Sequence, residues 1–150
     1  MFNKILVPLD GSVLSESILP QAVAVAEPSR AMIILFRVME PMDKGVRDTM
    51  GHDLASKLDE VNQDEAKAYL AKIASDLKRQ GLKVEVAVVS GKPADAIIEY
   101  TGTHSVDMVI MATHGRSGLS RWAFGSVTDK VLHQSPVAVL VGPVPGASRG

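Results

Sequence analysis

Two stretches of this chain carry residue types that could do chemistry. The first, "PLDGSVLSES" (Pro8 to Ser17), sets a carboxylate, Asp10, among small and hydroxylated residues. The second, "MATHGRSGLSRWAFGSVTDKV" (Met111 to Val131), crowds Gly115, Gly118 and Gly125 together with Arg116, Arg121, Ser126 and Thr128. Glycine lacks Cβ, so backbone there can approach a ligand closely and take up positive φ. Gly125 and Ser126 open a helix-like run. A helix N-terminus presents unpaired N–H groups and the positive end of a dipole, a ready site for phosphate. Ser126 and Thr128 add hydroxyl donors, and Arg116 and Arg121 could offset phosphate charge. Asp10 suits a ribose hydroxyl, an adenine amino group or a metal. Together these residues read as a nucleotide site, with Asp10 at the sugar or base end and Ser126 at the phosphate end. The competing reading is a loop whose glycines serve turns and whose Ser126 only caps a helix. The length of the stretch favours a function, because long structureless loops in compact domains are usually functional or disordered.

Other residue types add less. His114 sits inside the second stretch, where an imidazole could act as a general acid or base or could brace the loop by a hydrogen bond. His52, His104 and His133 show no metal-ligand spacing and read as solvated or capping residues. Trp122 could close over the site, meet a partner or pack in the core. Met39, Met42 and Met50 could form an adaptable contact surface or cover the core. There is no G-x-x-x-x-G-K-[ST] and no G-x-G-x-x-G after the first apolar run, which argues against a P-loop enzyme and against ordinary dinucleotide binding.

The elements that must position these groups follow from the apolar pattern. "KILVPLD" (Lys4 to Asp10), "MIILFRV" (Met32 to Val38), "VEVAVV" (Val84 to Val89), "MVIMA" (Met108 to Ala112) and "VAVLVG" (Val137 to Gly142) are short continuous apolar runs. Continuous runs mark strands buried on both faces of a parallel sheet. Helical segments lie between them. Ser12 or Ser15 can cap the first, and Pro20 must kink it or delay its start. Ala66, Leu70, Ile73 and Leu77 form a one-sided stripe within Leu54 to Gln80, and Gly81 is placed to end that helix. Pro93 starts the next, with Ile97 and Ile98 as its apolar face. Ser126 is the expected cap of the last. Met39 to Asp53 lacks a pattern and reads as a mobile loop. The alternation of strands and helices predicts an α/β domain with a mainly parallel sheet and helices on both faces. In such a sheet ligands bind beyond the carboxyl ends of the strands, where the winding reverses.

Composition narrows the function classes. The chain has 150 residues, sixteen Lys and Arg, seventeen Asp and Glu, and no cysteine. One domain is the simplest expectation. The near-zero net charge gives no reason to expect nucleic acid or a membrane surface as partner. No apolar run approaches the ~20 residues of a membrane helix, and the N-terminus does not read as a signal peptide. The expectation is a soluble, cytoplasmic protein.

"ILVPLDGS", "MVIMATHGRSG" and "FGSVTDKVL…SPVAVLV" resemble the universal stress protein family over nearly the whole chain. The nucleotide-binding branch of that family carries G-x2-G-x9-G-[ST]. Here the pattern falls on Ala112, Gly115, Gly125 and Ser126. Its first glycine is replaced by Ala112, whose methyl could crowd the sugar. The resemblance implies a Rossmann-like five-stranded parallel sheet of order 3-2-1-4-5 over residues 1–143, with 144–150 as a flexible tail. It also implies bound ATP, or ADP or AMP, with Mg²⁺ as a potential companion. Carried over, Pro8, Leu9 and Asp10 line the adenine and ribose side, with Ser12 beside them. Val38 meets adenine through its main chain. Met111, Ala112, His114 and Gly115 pass beside ribose and phosphates. Arg116, Gly125, Ser126, Val127 and Thr128 hold the phosphates. The family dimerises along its last strand, here Val137 to Val141, and an open apolar edge strand invites such pairing. The expected role is a nucleotide-binding regulator of the stress response. The alternatives are a slow ATPase, or an ATP-independent dimeric interaction module like the family's other branch.

Overall fold

The computed structural model describes residues 2–113 and 125–142. Five strands pair in parallel: β1 (Lys4–Pro8), β2 (Met32–Met39), β3 (Lys83–Ser90), β4 (Met108–Ala112) and β5 (Ala138–Gly142). Their order is β3-β2-β1-β4-β5. The chain winds outward from β1 through β2 to β3, then returns to the other side of β1 for β4 and β5. The reversal lies between β1 and β4, where Ile5 pairs with Met108 and Leu6 with Val109.

Alternation along the central strands divides the core in two. Ile5, Val7, Ile33, Leu35 and Ile110 face one side, and Leu6, Ile34, Phe36, Val109 and Met111 face the other. The first side is covered by α2 (Leu19–Ser29), through Ala22 and Ala26, and by α4 (His52–Arg79), through Leu70, Ala74 and Leu77. The second is covered by α5 (Pro93–Thr103), through Ala94 and Ile97, and by α6 (Ser126–Gln134), through Val131. Lys130 of α6 and Asp95 of α5 form an ion pair of 2.6 Å on that side.

Two expectations about the helices are corrected. Residues 39–53 are not a loop: they include α3 (Lys44–Met50), which Asp43 caps by accepting from the Gly45 and Val46 N–H groups. No residue of α3 is buried, so it leaves no apolar periodicity to read. Ser126 does not cap α6. It is the first helical residue, and Gly125 is the N-cap, with no side-chain cap bond. Pro20 does delay its helix. A short α1 (Val13–Glu16), capped by Ser12, comes first, and Pro20 stands in the opening turn of α2, where its missing N–H has no intrahelical role. The run around Val84 is also less enclosed than its composition implies. β3 is an edge strand, and Val86 is 36% exposed.

Candidate functional site

Asp10 is the first residue past the edge of β1 that carries charge, and local chemistry fixes it there. Its Oδ1 accepts from the Ser12 N–H at 2.9 Å and from the Ser12 hydroxyl at 2.5 Å. This is an Asx-type turn, the side chain standing in for a backbone acceptor. Ser12 Oγ in turn accepts from the Ser15 N–H at 3.1 Å, which starts α1. Ser15 Oγ accepts from the Asp10 N–H at 3.2 Å and donates to the Ser12 carbonyl at 3.0 Å. Between them, Gly11 has φ +88°, and a Cβ there would come 2.7 Å from Arg37 Nη1. The positive φ is what favours glycine here, and an added Cβ would also have to displace the Arg37 guanidinium. The turn therefore points a carboxylate from the end of β1 along a fixed direction.

The opposite wall is built at the end of β4. The Gly125 N–H donates to the Thr113 carbonyl at 2.8 Å. Thr128 is buried, and its hydroxyl donates to the Ala112 carbonyl at 3.0 Å. These two bonds hold the first turn of α6 against the strand end. The opening N–H groups of a helix have no partner within it, and among the described residues no side chain caps them. Thr128 was expected to donate to a ligand. Its hydroxyl is instead engaged with Ala112, which makes it a brace for the wall. Ala112 is itself buried in the core cluster that holds Ile110, and it also lines the cleft described next.

Between the walls lies a cleft of about 430 Å³ at the carboxyl ends of β1, β2 and β4. Of the residues read from sequence, Pro8, Leu9, Asp10, Val38, Met111, Ala112, Gly125, Ser126, Val127 and Thr128 line it. Ser12 does not; it acts behind Asp10. His114, Gly115 and Arg116 lie outside the described residues, as do Gly118, Arg121, Trp122 and the 144–150 tail. The sequence reading missed Ser15, Phe36, Arg37, Met39, Glu40, Pro93 and Ile97. Phe36 and Ile97 read as core residues, and they are core residues whose outer atoms floor the cleft. Arg37 and Glu40 carried a legible signal: charged residues at a strand end on the ligand-binding edge. The remaining histidines take no part. His104 stacks on Tyr100 with ring centroids 3.7 Å apart, and His133 Nδ1 contacts the Asp129 carbonyl at 2.7 Å.

Charge on the β2 side of the cleft is organised around Arg37. Its guanidinium lies 5.7 Å from the centroid of the Tyr69 ring, a cation–π contact with α4. The Tyr69 hydroxyl donates to Glu16 Oε2 at 2.8 Å. Burial, and then the bond to Glu16, hold the Tyr69 hydroxyl far above the usual phenol range, so it remains a donor at any physiological pH. The arrangement offers a carboxylate at one end of an apolar-floored cleft and uncapped helical N–H groups at the other. It suits a ligand with hydroxyls at one end and anionic oxygens at the other.

Known proteins share this architecture. The universal stress protein MJ0577 of Methanocaldococcus jannaschii is 29% identical, covering 94% of this chain and 94% of that one. Its solved structure superposes with a TM-score of 0.84 over 98% of this chain and 99% of that chain. YxiE of Bacillus subtilis, also a universal stress protein, is 29% identical over 94% of this chain and 99% of its own length. A universal stress protein solved in complex with cAMP, 24% identical, has the same fold with a TM-score of 0.69, covering 95% of this chain and 98% of that one. The universal stress protein family model matches residues 1–143, and the chain belongs to that family.

Proposed function

We propose that this protein binds an adenine nucleotide, ATP or its shorter forms ADP and AMP, as a regulatory member of the stress response without dedicated catalysis. The observation that carries the reading is the cleft itself. Asp10 stands on one wall, the uncapped N-terminus of α6 on the other, and Phe36, Ile97 and Met111 lie between. Asp10 accepts from ribose hydroxyls. The main chain at Val38 meets the base, whose flat apolar faces suit the floor. Phosphates lie beside Gly125, which lines the cleft, at the Ser126 and Val127 N–H groups, where the helix dipole favours anionic oxygen. Ala112 is compatible with this because its side chain is small and the residue is buried in the core cluster that holds Ile110. His114, Gly115 and Arg116 complete the phosphate end. Mg²⁺ would enter with the phosphates; among the described residues no cluster of three His, Cys, Asp or Glu side chains forms a metal site of its own. Two chains associate along the open edge of β5, Val137 to Val141.

The direct test is mass spectrometry of the purified protein under native conditions. An adenine nucleotide carried through purification at up to one per chain is the expected result. A ligand-free chain that stays ligand-free when millimolar ATP is added would refute the reading.

A further inference from the structure

The helices α3 and α4 carry features that the cleft does not use. The first half of α4 has little to do with the core: of residues 52–65, Ala55 alone is buried. Yet it bears three large apolar side chains in the open. Leu54 is 59% exposed, Leu58 37% and Val61 43%. Their spacing of four and three places them on one face of the helix, within ~60° of one another at about 100° per residue. By the same count that face is turned roughly 120° away from the line of Ala66, Leu70 and Leu77 that meets the sheet. Scattered apolar residues on a surface are ordinary; a stripe of them on one helical face marks a contact site.

Charge identifies what covers the stripe. Residues 40–65 hold eight Asp and Glu against three Lys and Arg, a net of −5, in a chain whose total is −1. The rest of the chain is therefore net positive. Arg47, one of the three cations, is already paired with Asp59 across α3 and α4. Asp53, Glu60 and Asp64 recur at seven and four and so form a line beside the stripe, where the single cation Lys57 is outnumbered three to one. Two copies meeting stripe to stripe would bring these acidic lines together, and like charges at an interface are penalised. A helix with Leu or Val on one face and Lys or Arg beside it matches both the stripe and its flank.

We propose that the α3–α4 surface centred on Leu54, Leu58 and Val61 docks a basic amphipathic helix of a partner protein. The apolar faces meet in a helix-to-helix contact, and basic side chains of the partner pair with Asp53, Glu60 and Asp64. This is independent of what occupies the cleft.

The probe is an 18-residue model helix with Leu on one face and Lys on the other, titrated into the full-length ¹⁵N-labelled protein. Its control is the same peptide with Glu for Lys. The expected result is saturable shift changes confined to residues 44–65 for the Lys peptide. Affinity should fall at least tenfold in the Leu58→Gln, Val61→Gln double variant and in the Asp53→Lys, Glu60→Lys, Asp64→Lys variant. Both changes are at exposed positions, and unchanged thermal unfolding verifies that the fold is intact. Shifts scattered over the surface, equal binding of the Glu peptide, or affinity unaltered in both variants would overturn the proposal. So would a protein whose self-association is abolished by the double variant, because the occupant would then be a second copy.

Discussion

Thr128 shows how a residue's role depends on what its side chain already touches. In sequence it is a hydroxyl three residues after Gly125, in the first turn of a helix, a natural phosphate donor. In the structure it is 3% exposed and bonded to the Ala112 carbonyl. Thr128→Val keeps the shape and removes the donor, which leaves a carbonyl short of its partner at a cost of about 1–3 kcal/mol. Urea denaturation should show that loss, and Thr128→Ser should recover most of it. An unchanged midpoint for the valine variant would mean the bond contributes nothing. Asp10 was legible as a candidate site residue because it is a carboxylate at a strand end on the edge where parallel sheets bind ligands. The Ser12 and Ser15 bonds that orient it were not, because "DGS" does not say which hydroxyl faces which acceptor. The same limit hid the contacts of Arg37: its position against Gly11 and Tyr69 joins β2, the β1 turn and α4, elements far apart in the chain.

At the scale of elements, the strands were legible because burial on both faces forces continuous apolar runs. The runs for β2, β3, β4 and β5 read to within one residue at each end and that for β1 ran two residues past Pro8; the exception in kind is β3, whose valines suit an edge as well as a centre. α3 was not legible, because a helix that buries nothing has no stripe. Its signal was the cap, Asp43 ahead of Gly45 and Val46. The Ser126 cap failed for a related reason: glycine and serine are both acceptable N-caps, so sequence could not place the boundary. The junction of β1 with β4 offers a prediction of its own. Asp107 Oδ2 accepts from the Asn3 and Lys4 N–H groups at 2.7 and 2.9 Å, tying the start of β1 to the turn before β4. The Lys4 and Asn3 N–H groups hold its carboxyl below the usual carboxylate range. A carboxyl with a lowered folded-state pKa stabilises above its unfolded pKa and loses that contribution as pH falls through the folded value. Asp107→Asn should therefore be less stable than wild type at pH 7, with the difference shrinking toward pH 3. Denaturation midpoints across that range test it, and a difference that grows on acidification would contradict it.

For the whole molecule, the strand order decides where the cleft sits. Reversal of winding between β1 and β4 leaves a gap at their carboxyl ends that no crossover covers, and the cleft fills it. The same order leaves β5 as an open edge whose residues Val139, Leu140 and Val141 are half-buried within one chain. Sedimentation velocity at micromolar concentration should give twice the 16.0 kDa chain mass. A monomer would show that the β5 edge stays open. Among the described residues no helix is long and apolar enough to cross a membrane.

The proposed adenine nucleotide occupies the cleft between Asp10 and the start of α6. Gly125 has φ −58°, which any residue adopts, so Gly125→Val preserves the backbone while placing a side chain where phosphates would lie. Thermal unfolding of both proteins in an ATP series with Mg²⁺ tests the claim most directly. A ligand bound by the folded state alone stabilises it by about 2.7 kcal/mol at 100 times its Kd. Wild type should unfold at progressively higher temperature as ATP rises to millimolar, and the Gly125→Val protein should not respond. A wild-type transition that stays fixed over the whole series, or an equal rise in both proteins, would contradict the account.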